Sequence, residues 1–394
     1  MKYNILYICT YIDANISKKY GLKYESAGLK KKNCMLKALG DHDVEVVFVS
    51  IFSKIAGKIF SSQKHTNEHV KINIPWFTTI PLLNYVLNPL MAFFALLNIC
   101  NNKKIDFIIL YNCVYENVLP VLFLKLFWKG KVICEYEDGF IFEKRGIKNI
   151  LFTLSHRQGH FISDGLISSS ATFLEIFPKR NHMLFRGSID RLTELPPDEK
   201  KHGCDKINVV FASSIDKTRG AMMLIDFFNT VENQYILGGV NFIVTGKGEK
   251  KIAESFYSAV KNYNKKGGSA DFKGFVDNNE LLQIYSKATA FLSLQDPSLP
   301  FSRYCFPSKI LEYYFYNRPV ISTRVSDLDN DNFPNLIFID YSPKNLEDSL
   351  CYLMQNIEEL REKNSSNKSF LKQNYSNAVN KERINNFFNK LLAI

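Results

Sequence analysis

Eight cysteines (Cys9, Cys34, Cys100, Cys113, Cys134, Cys204, Cys305 and Cys351) are scattered through the 394 residues, and no two form a C-x-x-C pair. That excludes the common zinc-knuckle and dithiol redox spacings. Several lie inside apolar runs such as ILYICTY and KVICEY, so buried, reduced thiols in a cytosolic protein are expected. Other motifs are missing a necessary part. VTGKGEKK has Lys251 where a dinucleotide-binding loop needs its third glycine, which argues against a dehydrogenase. DLDNDN (Asp327, Asp329, Asp331) has Asn332 at the sixth position of a calcium loop and Phe338 at the twelfth, and reads as a solvated loop. The pairs His65–His69 and His156–His160 have helical spacing but no third zinc ligand. No G-x-S-x-G elbow, internal repeat or long low-complexity tract is present. The opening MKYNILYICTY reads as a strand and predicts no secretory leader.

The longest apolar run, residues 80–100, approaches the length of a membrane span. Pro81, Asn84, Asn88, Pro89 and Asn98 interrupt it, so a core or membrane-surface helix is expected. The charge is one-sided: 50 Lys and Arg against 39 Asp and Glu give a formal +11. Such a balance favours anionic partners, among them phosphorylated small molecules and acidic lipid headgroups. No basic–aromatic motif supports a nucleic acid.

Strand-like and helix-like segments alternate along the whole chain, which predicts an α/β protein built on parallel sheets. KYNILYICTY, DVEVVFVS, DFIILYN, KVICEYE and DGLISSS read as strands of a first domain, residues 1–190. A polar loop runs to Gly28, followed by a helix closed by Gly40. The lysine-rich LKYESAGLKKK fits a solvated face, a phosphate-facing loop or a lipid contact. A charged stretch with Pro196-Pro197 suits a linker, residues 191–206. A second domain, residues 207–375, restarts the alternation, and residues 376–394 form a terminal amphipathic helix. Asp277 with Glu280 three residues on predicts a capped helix start. In open parallel sheets, ligands sit beyond the carboxyl ends of the strands.

The segment FPSKILEYYFYNRPVIST, 306–323, predicts a helix from Pro307 to about Tyr316, a left-handed cap at Asn317 and a strand after Pro319. Ser308, Lys309 and Glu312 share one helical face, while Ile310, Leu311 and Tyr314 point to a core. Two readings fit that spacing. A phosphate could sit at the helix start with sugar hydroxyls at Glu312, or Lys309 and Glu312 could form an exposed ion pair.

The same segment resembles the PSK-x-x-E-Y…PVI signature of retaining GT-B glycosyltransferases of family 4 (glycosyl transferases group 1). VVFASSIDKTRGAMMLIDFF, FIVTGKGE and DFKGFVDNNELLQIYSKATAFLSLQ resemble further blocks of that family, in the same order. The resemblance implies two Rossmann-like domains facing across a cleft, acceptor in the first and nucleotide-sugar donor in the second, with the C-terminal helix packing back on the first. It implies that Glu312 binds donor ribose and that Pro307, Ser308, Lys309 and Ile310 lie in the segment meeting the diphosphate. Arg219 matches the family's diphosphate-binding lysine. Lys217 stands in for an arginine expected at Ser214. Gly246 matches the G-x-G strand end, Gly274 and Phe275 the segment near the base, and Gly28 the N-terminal loop glycine. Glu137 and Asp138 fall near a catalytic-side His-Asp whose histidine is absent, and Tyr304 stands where the family has an acid. No metal or other cofactor is implied. The implied function is retaining transfer of a hexosyl-type sugar from a UDP- or GDP-sugar to a glycan or lipid-linked acceptor. The setting would be bacterial surface polysaccharide synthesis (capsule, O-antigen or exopolysaccharide), in the cytoplasm at the inner face of the plasma membrane. The departures at Tyr304 and Ser214 keep a catalytically silent partner protein, or an epimerase on the same fold, as alternatives.

Overall fold

A computed structural model describes residues 1–22, 26–49, 57–66, 70–137, 147–189, 206–325, 328 and 333–393. Asp138, His69, Cys204, Pro196-Pro197, all of the 191–206 linker but Lys206, and the three aspartates of DLDNDN lie outside the described residues. The chain divides into two compact units. One holds Met1–Gly187 with Asn377–Ile394, the other Ser188–Ser376.

Among the described residues the first unit contains ten strands: β1 Asn4–Cys9, β2 Asp43–Phe48, β3 Ile59–Phe60, β4 Gln63–Thr66, β5 Lys71–Ile74, β6 Phe77–Thr78, β7 Phe107–Tyr111, β8 Lys131–Tyr136, β9 Gly165–Ser168 and β10 Asn181–Leu184. Eight form one sheet in the order β10-β9-β8-β7-β1-β2-β5-β4, parallel except for the β4–β5 pair, while β3 and β6 make a two-stranded ribbon. The central parallel strands are mostly apolar, as sheets covered on both faces require, with exceptions such as Glu45 on β2 and Glu135 on β8. The polar loop expected after β1 instead contains a helix, Ala14–Tyr20, capped by Asp13 and closed by left-handed Gly21. The next helix starts at Ser26, so Gly28 lies in its first turn rather than in a loop. The C-terminal helix, Asn377–Leu392, belongs to this unit: Phe388 stacks on Phe107 at 4.3 Å, and Tyr3 donates to Asn389 at 2.9 Å.

The second unit has six parallel strands: β11 Ile207–Ala212, β12 Val240–Thr245, β13 Ser269–Phe272, β14 Ala290–Ser293, β15 Val320–Thr323 and β16 Leu336–Ile339. Their order is β13-β12-β11-β14-β15-β16. Along β11, Val209 and Phe211 enter one core while Val210 and Ala212 enter the other, the period-two alternation of a sheet buried on both faces.

Both orders contain one reversal. Strand succession runs outward from β1 to β2 and from β7 to β8, and likewise from β11 to β12 and from β14 to β15. The crevices where ligands bind therefore lie at the carboxyl ends of β1/β7 and of β11/β14.

Candidate functional site

At the β11/β14 reversal the second unit holds a pocket. Ala212 and Ser213 line it from β11, Ser293 and Gln295 from β14, and Arg219, Ser308 and Lys309 from the loops above. The turn after β11 is set locally. One carboxylate oxygen of Asp216 accepts from the backbone N–H of Thr218 (2.8 Å), its hydroxyl (2.7 Å) and the N–H of Arg219 (3.0 Å). Gly220 follows with φ +91°, and a Cβ there would lie 1.8 Å from the Leu294 carbonyl oxygen. Only glycine lets this turn lie against the end of β14. Gly246 does the same between β11 and β12: φ is +155°, and a Cβ would sit 1.8 Å from the Ser213 oxygen. The Arg219 guanidinium rests 4.6 Å from the Phe301 ring, a cation–π contact that holds it at the pocket wall.

The segment 306–323 splits the two sequence readings between them. Lys309 and Glu312 do form the i,i+3 ion pair, at 2.9 Å, but on no exposed face, since the Glu312 side chain is only 13% exposed. Tyr285 joins them, its hydroxyl accepting from Lys309 (3.1 Å) and lying 3.4 Å from the Glu312 carboxylate. Burial, with the Glu312 charge beside it, pushes the Tyr285 phenol well above its ordinary pKa, so it stays a donor. The helix is shorter than predicted, Lys309–Phe315, and seven residues give a small dipole. Positive charge at the pocket therefore comes chiefly from Lys309 and Arg219. Asn317 adopts the left-handed cap at φ +52°, its side-chain Oδ1 accepting from the Lys368 N–H at 2.9 Å.

Of the other residues singled out in sequence, Pro307 lines the pocket, and Gly246 lies against Ser213, one of its lining residues. Ile310 does not face it: the side chain is fully buried in the core under β14 and β15. Lys217 and Ser214 are exposed on the turn and do not line the pocket. Gly274 is left-handed at φ +66°, its carbonyl accepting from the Gly246 N–H (2.8 Å), with Phe275 exposed beside it. Tyr304 ends the short helix Pro300–Arg303, with Arg303 5.6 Å over its ring. Sequence reasoning missed Asp216, Tyr285 and Gln295. Gln295 is buried, and its Oε1 accepts no hydrogen bond among the described residues. A buried carbonyl oxygen in that state costs about 1–3 kcal/mol and marks a place for a ligand donor. Its only sequence signal was a polar residue ending an apolar strand.

The first unit's crevice contains an acid that sequence reasoning also missed. Glu135, near the end of β8, is buried and accepts from the Tyr7 hydroxyl at 2.7 Å. Burial raises its pKa to about 7, against the lowering influence of Tyr7, Lys32 and Lys31. Burial also pushes the Cys9 thiol up to about 12. Lys32 is itself 8% exposed, its ammonium 4.6 Å from the Tyr111 ring. It lies close to Gly28, where an added Cβ would meet its ammonium at an ordinary contact distance of 3.5 Å. At the end of β7, Asn112 and Cys113 are both left-handed, at φ +58° and +38°. Asn112 is held there by donating its N–H to the Glu135 carbonyl (2.6 Å) and accepting from the Glu137 N–H (2.8 Å). Two consecutive strained residues at a strand end are typical of a functional crevice. Glu137 pairs with Lys31. Both crevices thus carry lysine charge beside a carboxyl group, buried at Glu135 and half-buried at Glu312.

Residues 206–356, most of the second unit, match the family model described as glycosyl transferases group 1. No curated protein matches the chain in sequence. Among solved structures, the chain is similar to sucrose-phosphate synthase from Thermosynechococcus elongatus at 12% identity and TM-score 0.70, over 100% of both chains. It is similar to the catalytic domain of starch synthase IV from Arabidopsis thaliana, bound to ADP and acarbose, at 10% identity and TM-score 0.69, again over 100% of both. Anabaena Alr3699/HepE in complex with UDP and glucose gives 12% identity and TM-score 0.66, over 98% of each. At these identities the structures show a shared fold.

Proposed function

Starting from a GT-B glycosyltransferase of the group 1 type, we propose that the chain moves a hexosyl-type sugar from a nucleotide-sugar to an acceptor hydroxyl with retention. The observation that carries this reading is the pocket at the β11/β14 reversal, where Arg219 and Lys309 meet an unsatisfied Gln295. Two cations suit a diphosphate, and a buried acceptor suits a neighbouring hydroxyl or N–H of the same ligand. Solved relatives of the same fold hold UDP or ADP, which supports a nucleotide donor.

As the bond from the sugar's anomeric carbon to the diphosphate oxygen breaks, the electron pair stays on the diphosphate. Arg219 and Lys309 stabilise that charge, and no metal ion is needed for it. The acceptor hydroxyl bonds to the anomeric carbon on the face the diphosphate leaves, and its proton goes to a diphosphate oxygen. Glu312, one turn from Lys309, accepts from ribose hydroxyls. Gly274 and Phe275 border the base, and Tyr304 alters how the transferred sugar's hydroxyls are read. In the first unit, Glu137 is the described residue of the catalytic-side pair that the family resemblance implies, and Gly28 the glycine that lets backbone approach a phosphate. The acceptor is a glycan, lipid-linked, of a bacterial surface polysaccharide, and the reaction is cytoplasmic. Tyr304 in place of an acid favours a second reading, a catalytically silent partner protein.

A panel of UDP-, GDP- and ADP-sugars, each with and without glycan acceptors, tests this by product analysis and NMR of the new anomeric centre. Retained configuration with one donor is expected. Inverted product, or turnover of none of the donors, would overturn the reading, and turnover without acceptor would indicate an epimerase.

A further inference from the structure

The helix Leu83–Asn102 contains no charged residue and is long and apolar enough to cross a bilayer. It is nevertheless tied into the first unit. Asn88 is buried, accepting from the Thr78 N–H (2.8 Å) and donating to the Thr78 carbonyl (2.9 Å), with Ala92 and Leu96 buried on the same side. The opposite side carries Leu83, Val86, Leu90 and Phe94, spaced three or four residues apart in one exposed stripe, Val86 at 66%.

That stripe continues onto the next helix, Tyr115–Leu124. Phe93 lies 6.3 Å from Phe123 and 6.4 Å from Phe127. Leu126 and Phe127 protrude from the turn that follows, 75% and 69% exposed. An exposed apolar surface over two packed helices is more than scattered surface leucines and marks an interaction face.

Its rim is lysine-rich: residues 79–131 include five lysines (103, 104, 125, 129 and 131) against two acids, Asp106 and the largely buried Glu116. Acids touch some of them: Asp43 pairs with Lys103, Asp106 with Lys104, and Asp164 with Lys125 and Lys131. Lys104 stays almost fully exposed, and exposed Lys129 stands two residues from Phe127. Trp128 lies between Phe127 and Lys129, its ring N–H donating to the Ile105 carbonyl. Apolar and aromatic groups rimmed by lysine are the composition that settles into the headgroup region of an anionic bilayer. A second copy of the chain would bring two lysine rims together, which disfavours it.

We propose that this face of the first unit rests on an anionic lipid bilayer, the helix lying in the interface and not spanning it. The surface is independent of the donor pocket, so its failure would leave the glycosyl-transfer reading intact.

The test is co-sedimentation of the full chain with phosphatidylcholine vesicles, with and without phosphatidylglycerol. Binding is expected with phosphatidylglycerol and falls at high salt. The double substitution Leu126→Ser/Phe127→Ser should weaken it about tenfold or more. Lys104→Glu/Lys129→Glu should weaken it mainly at low salt. Tyr257→Ser, at an exposed position of the second unit, should change nothing. Unchanged Tm confirms that each variant folds, and Val86→Ser offers an independent probe of the same stripe. Equal sedimentation of the parent and the Leu126→Ser/Phe127→Ser protein would overturn the proposal. So would a solution dimer that this substitution splits, which would assign the face to a second copy.

Discussion

At the residue scale, two cations and two unsatisfied or perturbed polar groups define the chemistry. Glu135 gives the sharpest expectation. Its carboxyl has a folded pKa near 7 against an ordinary value near 4.5, so the fold binds more protons than the unfolded chain between those values. Stability from this group is therefore present at low pH and lost as pH rises from about 4.5 through about 7, a change on the order of 3 kcal/mol. His156, stacked on Tyr136 at 5.3 Å, acts in the opposite direction. Burial lowers its pKa to about 4, so its contribution is lost as pH falls through the range between 6.5 and 4. The two slopes oppose each other in the parent protein. Glu135→Gln should raise Tm at pH 8 and leave it little changed near pH 4.5, as differential scanning would record. No gain at pH 8 would mean that Glu135 ionises normally. Gly220→Ala combines a left-handed φ with a Cβ collision at Leu294, and should cost about 1–3 kcal/mol in chemical unfolding from backbone strain alone. Neither Glu135 nor Gln295 was legible in the sequence as a site residue. Their burial and partners come from Tyr7, 128 residues distant in the first case, and from the β11/β14 reversal, which no local pattern marks, in the second. Lys309 and Glu312 were legible because three residues of helix suffice to pair them.

At the element scale, legibility followed locality. Asp277 accepts from the Glu280 N–H at 2.9 Å, as the cap pattern predicts, and Asn317 takes its left-handed conformation. Asp277→Ala should lower stability by about 1 kcal/mol, read from the urea midpoint, and an unchanged midpoint would show that cap to be redundant. The long parallel strands read correctly because both of their faces are buried. β3–β6, β10 and β16 were not read: β3 and β6 have two residues each, β4, β5 and β10 only four, and β16 follows a polar stretch of sequence that hides its start. The polar loop expected up to Gly28 contains a short helix that was not read, Ala14–Tyr20, whereas the lysine-rich helix expected after Gly28 is present and begins slightly earlier, at Ser26.

At the scale of the whole molecule, each unit is an open parallel sheet with its own core, and the chain returns at its end to the first. Phe387, Phe388 and Leu391 of the terminal helix are buried in the first unit's core. Deleting residues 377–394 should therefore unfold that unit and leave the second one folded, which amide exchange of the truncated chain would resolve. The formal +11 adds a general attraction for anions that salt would screen, so specific binding must be separated from it by substitution. The most direct test of the central claim is calorimetric titration of UDP, GDP and ADP into the parent protein and into Arg219→Ala at physiological ionic strength. One nucleotide should bind the parent, and removing the guanidinium should weaken it about 10- to 100-fold, as loss of a charge-assisted contact to a diphosphate requires. Equal affinity for both proteins, or no binding of any of the three, would contradict a diphosphate site at the β11/β14 reversal.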